Sequence, residues 1–126
     1  MTAGTALDVA LAYHRAWTSG DFEQAMRYVA DDVVCLAPSG RHDGADAFRA
    51  FMGPFAASLT RAELLAAFGD DETAVVMYDT DTVLVPDAPG AECLRVRDGR
   101  IVHMRIIFDR TPFEAARRAA ASGPAR

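Results

Sequence analysis

The chain has 126 residues, of which 51% are apolar and 25% are charged, and its formal net charge is −5. These values are typical of one globular domain over residues 1–126 with a real hydrophobic core, and they argue against a disordered chain. The acidic balance argues against a nucleic-acid or anionic-membrane partner, because each of these requires a basic patch.

Several absences narrow the chemistry. No apolar run approaches the length of a membrane span and no signal-peptide pattern begins the chain, so we expect a cytoplasmic protein with no membrane partner. Cys35 and Cys93 lie far apart and the three histidines are scattered, so we expect no disulfide and no metal. The chain has neither Lys nor Asn, which excludes a lysine Schiff base and an asparagine oxyanion donor and hints at a GC-rich bacterial genome.

The first half of the chain predicts three helices and one strand. Apolar groups at helical spacing indicate a helix over 5–18, and Gly20 and Asp21 then end it and cap a second helix that reaches about Tyr28. A strand follows over 31–37 and closes at a Pro-Ser-Gly turn. Asp43 or Gly44 begins the third helix, which Pro54 is expected to kink or end. One face of this helix carries Phe48, Phe51, Met52 and Phe55.

The second half changes to a period of two. This pattern predicts four strands, with a hairpin turn at Asp98-Gly99 between the last two. A short helical tail, "TPFEAARRAAA", precedes a frayed "SGPAR" end. Helices first and an antiparallel sheet after them indicate an α+β domain. The predicted strands are 61–69, 72–85, 90–98 and 100–109.

This order, αα-β-α-ββββ, together with the segments "SGDFEQAMRYVADDVV" and "RDGRIVHMRIIFD", resembles the SnoaL-like branch of the nuclear-transport-factor-2-like superfamily. The resemblance covers about Ala6 to Phe113. It implies a cone-shaped fold in which N-terminal helices cover a curved antiparallel or mixed sheet, with any active site inside the cone. Members include isomerases, polyketide cyclases, epoxide hydrolases and proteins with no known activity, so the resemblance is specific for the fold and not for the reaction.

Strand alternation predicts which side chains face the inside of the cone. The last strand places an apolar set inward and His103, Arg105, Ile107 and Asp109 outward. Glu92 shares one strand face with Leu94 and Val96, so it faces inward if those two residues lie in the core. The inward set on the long and last strands is Val76, Tyr78, Thr80, Thr82, Leu84, Val102, Met104, Ile106 and Phe108. The predicted pocket lining is Trp17, Val33, Cys35, Ala37, Phe51, Phe55, Tyr78, Thr80, Met104, Ile106 and Phe108.

Ketosteroid isomerases of this superfamily resemble the chain through its first helix and first strand. The resemblance places their phenol donor on Tyr13, and their oxyanion acid on Glu92 if the "RDG" turn is one residue shorter here. It places their catalytic base on Ala37, which cannot accept a proton. His42 is the best remaining candidate for a base, because a loop histidine titrates near neutral pH.

Limonene-epoxide-hydrolase-like proteins are similar to the ending "MRIIFDRTPFEAA". Their water-activating acid falls on Ile106, and their Arg and Asp fall on Thr80 and Thr82. Their Tyr and Asn fall on Cys35 and Ala37, so every polar member of that set is missing. Epoxide hydrolysis is therefore disfavoured.

Each candidate also has a structural interpretation. Tyr13 is either a packed core tyrosine or a donor to a ligand carbonyl. Glu92 is either an exposed strand-end residue or a pocket acid whose pKa apolar neighbours raise. His42 and Asp43 form a loop pair with Asp43 as a helix cap, or His42 is a base at the cone mouth. His14 is expected to be a partly exposed structural residue on a helix flank.

Two functional hypotheses follow. The first is a pocket for a small hydrophobic, carbonyl-bearing metabolite, as in a cofactor-free isomerase or cyclase, with Tyr13 and Glu92 holding one ligand oxygen. The second is a non-catalytic ligand-binding or dimeric interaction module. In either case we expect a homodimer through the outer sheet face, where Val75, Met77 and Ile107 lie beside Arg105, with Arg105 and Asp109 or Asp81 pairing across the twofold axis.

Overall fold

A computed structural model describes residues 5–122. Within these residues, four helices and six strands form an α+β arrangement, and the family expectation of a curved, mixed sheet covered by helices is confirmed. The helices are α1 (Ala6–Thr18), α2 (Phe22–Met26), α3 (Ala45–Ala57) and α4 (Thr111–Ser122). The strands are β1 (Val29–Ala37), β2 (Gly40–Asp43), β3 (Leu59–Gly69), β4 (Thr73–Thr82), β5 (Gly90–Arg97) and β6 (Arg100–Phe108).

The N-terminal helices form for the reasons that the sequence suggests. Thr5 and Asp8 make a reciprocal capping box at the start of α1, and the Asp21 carboxylate accepts from the Gln24 amide at the start of α2. Gly20, at a φ of 92°, permits the sharp turn between the two helices. The second helix ends at Met26 rather than near Tyr28, since β1 begins earlier than predicted.

The region after β1 departs from the prediction. Residues 40–43 form a short edge strand, β2, where a turn was expected. Asp43 is therefore not a helix cap: Gly44 holds that position without a side-chain hydrogen bond, and Asp43 pairs with Arg41 at 2.8 Å. Pro54 does not end α3, which continues to Ala57. Proline removes only one amide donor from the helix, and its carbonyl still accepts from the Ser58 amide at 3.1 Å.

The sheet has the order β2-β1-β6-β5-β4-β3. The last four strands are consecutive antiparallel neighbours, as predicted, and the parallel pairing of β6 with β1 makes the sheet mixed. Asp98 and Gly99 both have positive φ, which is the geometry of the hairpin turn predicted there. Because β5 lies between β4 and β6, its inward side chains point into the centre of the sheet's covered face.

Two strand details correct the predicted inward faces. β4 ends at Thr82, so Leu84 lies in the following loop and is exposed instead of facing inward. A bulge in the β5–β6 pairing buries Ile101 and leaves Val102 half-buried. The remaining alternation in β4 and β6 agrees with the prediction, with Val76, Tyr78 and Thr80 buried.

The core lies between the concave face of the sheet and helices α1 and α3. Trp17, Tyr13 and Phe48 are among its largest fully buried side chains. The tail forms the predicted helix α4, and the "SGPAR" end lies, apart from Ser122, outside the described residues. Among the helices of residues 5–122, none has the length and apolar character needed to cross a membrane.

Candidate functional site

A buried carboxyl group lies at the centre of the sheet's inner face. Glu92 in β5 is 1% exposed, and its pairing partners across the neighbouring strands are Val76 and Ile106. The interpretation of Glu92 as an exposed strand-end residue is therefore wrong. Its strand is central, so Glu92 packs among apolar neighbours on both sides.

Tyr78 is the hydrogen-bond partner of this carboxyl group. The Tyr78 hydroxyl donates to Glu92 Oε2 at 2.7 Å, and both residues are buried. Burial raises the pKa of Glu92 to about 7, although the hydrogen bond from Tyr78 acts in the opposite direction. Burial, followed by the charge of Glu92, also raises the pKa of Tyr78. The carboxyl group therefore exchanges its proton near neutral pH, while the phenol stays protonated.

Gly90 allows the tyrosine ring its position. Gly90 pairs with Tyr78 across β4 and β5, and a Cβ atom at Gly90 would lie 2.9 Å from Tyr78 Cε1 and 3.0 Å from its hydroxyl oxygen. Any side chain at residue 90 would therefore push the phenol from its place. This close approach ties the start of β5 to the geometry of the acid pair.

Several buried polar atoms around the pair have no hydrogen-bond partner within residues 5–122. The second carboxylate oxygen, Glu92 Oε1, is one of them. The others belong to helix α1, and buried atoms of this kind are rare in folded proteins unless a ligand or water serves them. They are Tyr13 Oη, His14 Nδ1 and Trp17 Nε1.

Helix α1 places two of these residues against Tyr78. The His14 and Trp17 rings lie 5.1 Å and 5.4 Å from the Tyr78 ring, centroid to centroid. His14 is buried, which corrects its expected partial exposure, because the rings of Trp17 and Tyr78 cover it. Burial lowers the pKa of His14 to about 4, so the imidazole is neutral at neutral pH.

Tyr13 and Glu92 both lie inside the fold, as the pocket interpretation of each residue expects. Burial raises the pKa of Tyr13, and the charge of Glu92 adds to that shift. Glu92 nevertheless receives its hydrogen bond from Tyr78, and no bond joins it to Tyr13. Their joint hold on a ligand oxygen stays a prediction.

A small apolar cavity adjoins the pair. Its volume is about 40 Å³, and the Tyr78 side chain forms part of its wall. Five of the predicted lining residues contribute to it: Phe51, Phe55, Tyr78, Ile106 and Phe108. Four others, Trp17, Val33, Cys35 and Met104, belong to the packed core. Thr80 instead donates to the Ala88 carbonyl at 2.6 Å, and Ala37 is half-buried.

His42 lies outside this cavity. Its ring stacks on Phe51 at 4.2 Å, and its Nε2 atom lies 3.3 Å from the Ser39 hydroxyl. It lines an outer groove, which shares Phe51, Phe55 and Phe113 with the cavity wall. The predicted base is thus separated from the buried pair by a layer of aromatic rings.

The sequence assigned Tyr78 only to the pocket wall and did not identify Phe113 at all. The sequence does contain a signal for the contact between Tyr78 and Glu92. Val76 is the position opposite Glu92, and Tyr78 lies two residues further along the same face of the strand. The sequence contains no signal for the position of Phe113, because that position depends on the path of α4 after β6. Within the described part of the chain, no three His, Cys, Asp or Glu side chains are grouped to hold a metal ion.

The pair can supply a hydrogen-bond donor to a ligand in the cavity. When Glu92 is protonated, its own proton can bond the Tyr78 oxygen, which frees the phenol hydrogen for a ligand carbonyl. When Glu92 is ionised, the carboxylate holds that hydrogen instead. The protonation state of Glu92 therefore controls whether the Tyr78 hydroxyl is free to donate to another group.

Comparisons with known proteins agree with this fold. The model of a family described as "SnoaL-like domain" matches residues 10–104. A crystal structure of a protein from Kribbella flavida is 65% identical, covers 94% of this chain and 98% of its own, and superposes with a TM-score of 0.89. No protein with a curated description matches the chain.

Two more distant structures share the fold. A candidate polyketide cyclase from Sinorhizobium meliloti is 22% identical, over 79% of this chain and 93% of its own, with a TM-score of 0.68. A candidate isomerase from Rhodopseudomonas palustris is 17% identical, over 93% of this chain and 98% of its own, with the same TM-score of 0.68. At these identities the likeness concerns the fold alone.

The raised pKa of Glu92 predicts an unusual pH dependence of stability. The folded protein binds this proton more tightly than the unfolded chain, whose pKa is near 4.5, so the contribution is complete below that pH and is lost as the pH rises through about 7. Between pH 4.5 and pH 8 the loss amounts to about 3 kcal/mol of unfolding free energy. Urea unfolding of wild type and Glu92→Gln across this range measures it.

Glu92→Gln should not show this loss. The pH dependence of stability that His14 contributes has the opposite sign and is common to both proteins, so subtracting one profile from the other removes it. Glu63→Gln, at an exposed position of β3, is the matched control and should follow the wild type. Parallel pH profiles for wild type and Glu92→Gln would show that Glu92 titrates as an ordinary exposed acid.

Proposed function

Because the chain belongs to the SnoaL-like domain family, we propose that it binds a small hydrophobic carbonyl compound, with the carbonyl end in its internal cavity, and polarises the carbonyl group for isomerase-type or cyclase-type chemistry without a cofactor. One observation carries the proposal. Tyr78 is one of the residues that line an apolar cavity, and its hydroxyl is bonded at 2.7 Å to a buried carboxyl group whose pKa burial raises to about 7.

The surroundings favour a strong hydrogen bond to the ligand. Met52, Ile106 and Phe108 line the cavity and exclude water, and a donor in such a place stabilises developing negative charge on a carbonyl oxygen far better than one in solvent. Tyr78 is the donor, and protonated Glu92 orients it by donating its own hydrogen to the Tyr78 oxygen. Tyr13, whose hydroxyl has no partner, is the second candidate donor.

Isomerisation or cyclisation also requires a group that removes a proton. No carboxylate or imidazole is among the described residues that line the cavity, and Ala37 cannot serve. His42 in the outer groove is the base we propose, acting on a part of the ligand that reaches past Phe51.

A second candidate function is ligand binding without catalysis. The separation of His42 from the buried pair by aromatic rings favours it. The two functions differ in one measurable respect: only the enzyme accelerates exchange of acidic ligand protons that lie away from the bound carbonyl, on the side of His42. Proton NMR of a conjugated ketone such as 3-methyl-2-cyclohexenone in D₂O, which follows its γ protons with wild type and His42→Gln, separates them.

Binding of 4-fluorophenol tests the polarising site. This phenol mimics an enol, and we expect Tyr78→Phe to weaken its binding roughly fivefold, the value of about one hydrogen bond. Tyr28→Phe, a tyrosine that does not line the cavity, is the matched control and should leave the affinity unchanged. Isothermal titration calorimetry measures both.

The same titrations should show wild-type affinity falling as the pH rises through about 7, because ionised Glu92 withdraws the phenol hydrogen from the ligand. If 4-fluorophenol fails to bind at every pH tested, the proposed site is contradicted. Equal affinities of wild type and Tyr78→Phe would contradict the role of Tyr78.

We also propose a homodimer through the outer sheet face. Val75, Met77 and Ile107 on that face are 46%, 50% and 61% exposed, which is unusual for neighbouring apolar groups in a monomer. Asp81 already pairs with Arg61 at 2.9 Å, so Asp109 is the remaining candidate partner for Arg105 across the axis. Light scattering at micromolar concentration would contradict the dimer by giving the mass of a single chain.

A further inference from the structure

The cavity beside Tyr78 is too small for a whole metabolite. Its volume of about 40 Å³ holds a few water-sized groups, which is enough for the carbonyl end of a ligand and little more. The rest of the molecule must extend beyond the cavity wall. Part of that wall also lines a second depression.

That depression is the outer groove, with a volume of about 420 Å³. Phe51, Phe55 and Phe113 line both the cavity and the groove, so these rings separate the two spaces. Phe51 and Phe55 belong to α3, which packs on β1 and β2. Phe113 belongs to α4 and is the ring that can move with the least disruption.

The attachment of α4 is slight. Phe113 contacts the rings of Phe55 and Phe108 at 6.2 Å and 5.6 Å, and Arg110 donates to the Pro38 carbonyl at 3.3 Å just before the helix. Most other described side chains of α4 are exposed. Phe113 thus holds the helix against the body of the protein, and its ring lines both the cavity and the groove.

The charge of the groove indicates what the far end of the ligand carries. The chain has 18 acidic and 13 basic residues, yet none of the described residues that line the groove is Asp or Glu. Arg117 lines it, one helical turn after Phe113, and forms no ion pair within the described residues, whereas Arg110 is paired with Glu114. His42 lies in the same groove.

From this arrangement, and resting on the proposed function, we infer that the ligand is an elongated apolar molecule with a carboxylate at one end. Its carbonyl end lies at Tyr78, its body takes the place of the Phe113 ring, and its carboxylate pairs with Arg117. Helix α4 therefore both admits the ligand and contributes to its specificity.

The test uses 4-hydroxyphenylalkanoates of two to four chain carbons and their methyl esters, with calorimetric titration of each. The phenol end addresses Tyr78, and the series spans the distance to Arg117. We expect at least one acid to bind more tightly than its ester, and Arg117→Gln to remove this preference, a change of roughly two- to fivefold for an exposed ion pair. Arg118→Gln, the adjacent arginine that does not line the groove, should retain it.

The role of Phe113 has a kinetic readout. If the ring must leave before the ligand enters, the association rate constant is reduced in proportion to the fraction of molecules in which the ring is out of the way. Phe113→Ala should therefore raise the association rate constant of the tightest-binding acid roughly tenfold in stopped-flow experiments. An unchanged rate constant would show that α4 does not gate the cavity.

The outcomes distinguish the two proposals. Failure of 4-fluorophenol and of every acid to bind would overturn the proposed function and this inference together. Binding that depends on Tyr78 but is the same for acid and ester, or the same in Arg117→Gln and wild type, would overturn the inference alone and leave the proposed function standing.

Discussion

The buried hydrogen bond between Tyr78 and Glu92 is the constraint on which the rest of the site depends. A carboxyl group that is 1% exposed must either be neutral or have a partner, because an isolated buried charge is very costly. Here a single donor serves one of its two oxygens, and burial raises the pKa to about 7. The group is therefore balanced between its two protonation states near neutral pH.

Each neighbouring element contributes to that balance. The central position of β5 removes Glu92 from solvent, Gly90 gives the Tyr78 ring its room, and α1 covers the pair with His14 and Trp17. Tyr78 also lines the apolar cavity. In the proposed function, a proton on Glu92 frees the phenol hydrogen for a ligand, which would polarise a carbonyl group without a metal ion.

Much of this could be predicted from the chain alone. Strand alternation placed Tyr78, Ile106 and Phe108 on the inner face, because the period of two holds wherever the pairing is regular. It failed at the bulge near Val102 and after Thr82, where the strand ends and Leu84 becomes exposed. The family resemblance and the fold class were confirmed because they depend on the order of elements, which tolerates such local errors.

The remaining errors share a cause. Burial of His14 and Glu92 depends on which rings and strands close over them, and Asp43 lost its capping role to a short edge strand. The place of Phe113 depends on the path of α4 after β6. These are tertiary relations between distant segments, and local spacing contains little information about them.

The most direct measurement is the titration of Glu92 itself. Carbon-13 NMR of the side-chain carboxyl carbon in protein labelled at glutamate, assigned with Glu92→Gln, follows the proton at its own site. We expect a midpoint near 7 in the wild type, and a higher midpoint in Tyr78→Phe, because the hydrogen bond that favours the ionised form is lost. A midpoint near 4.5, the ordinary value for glutamate, or one that Tyr78→Phe leaves unchanged, would contradict the account.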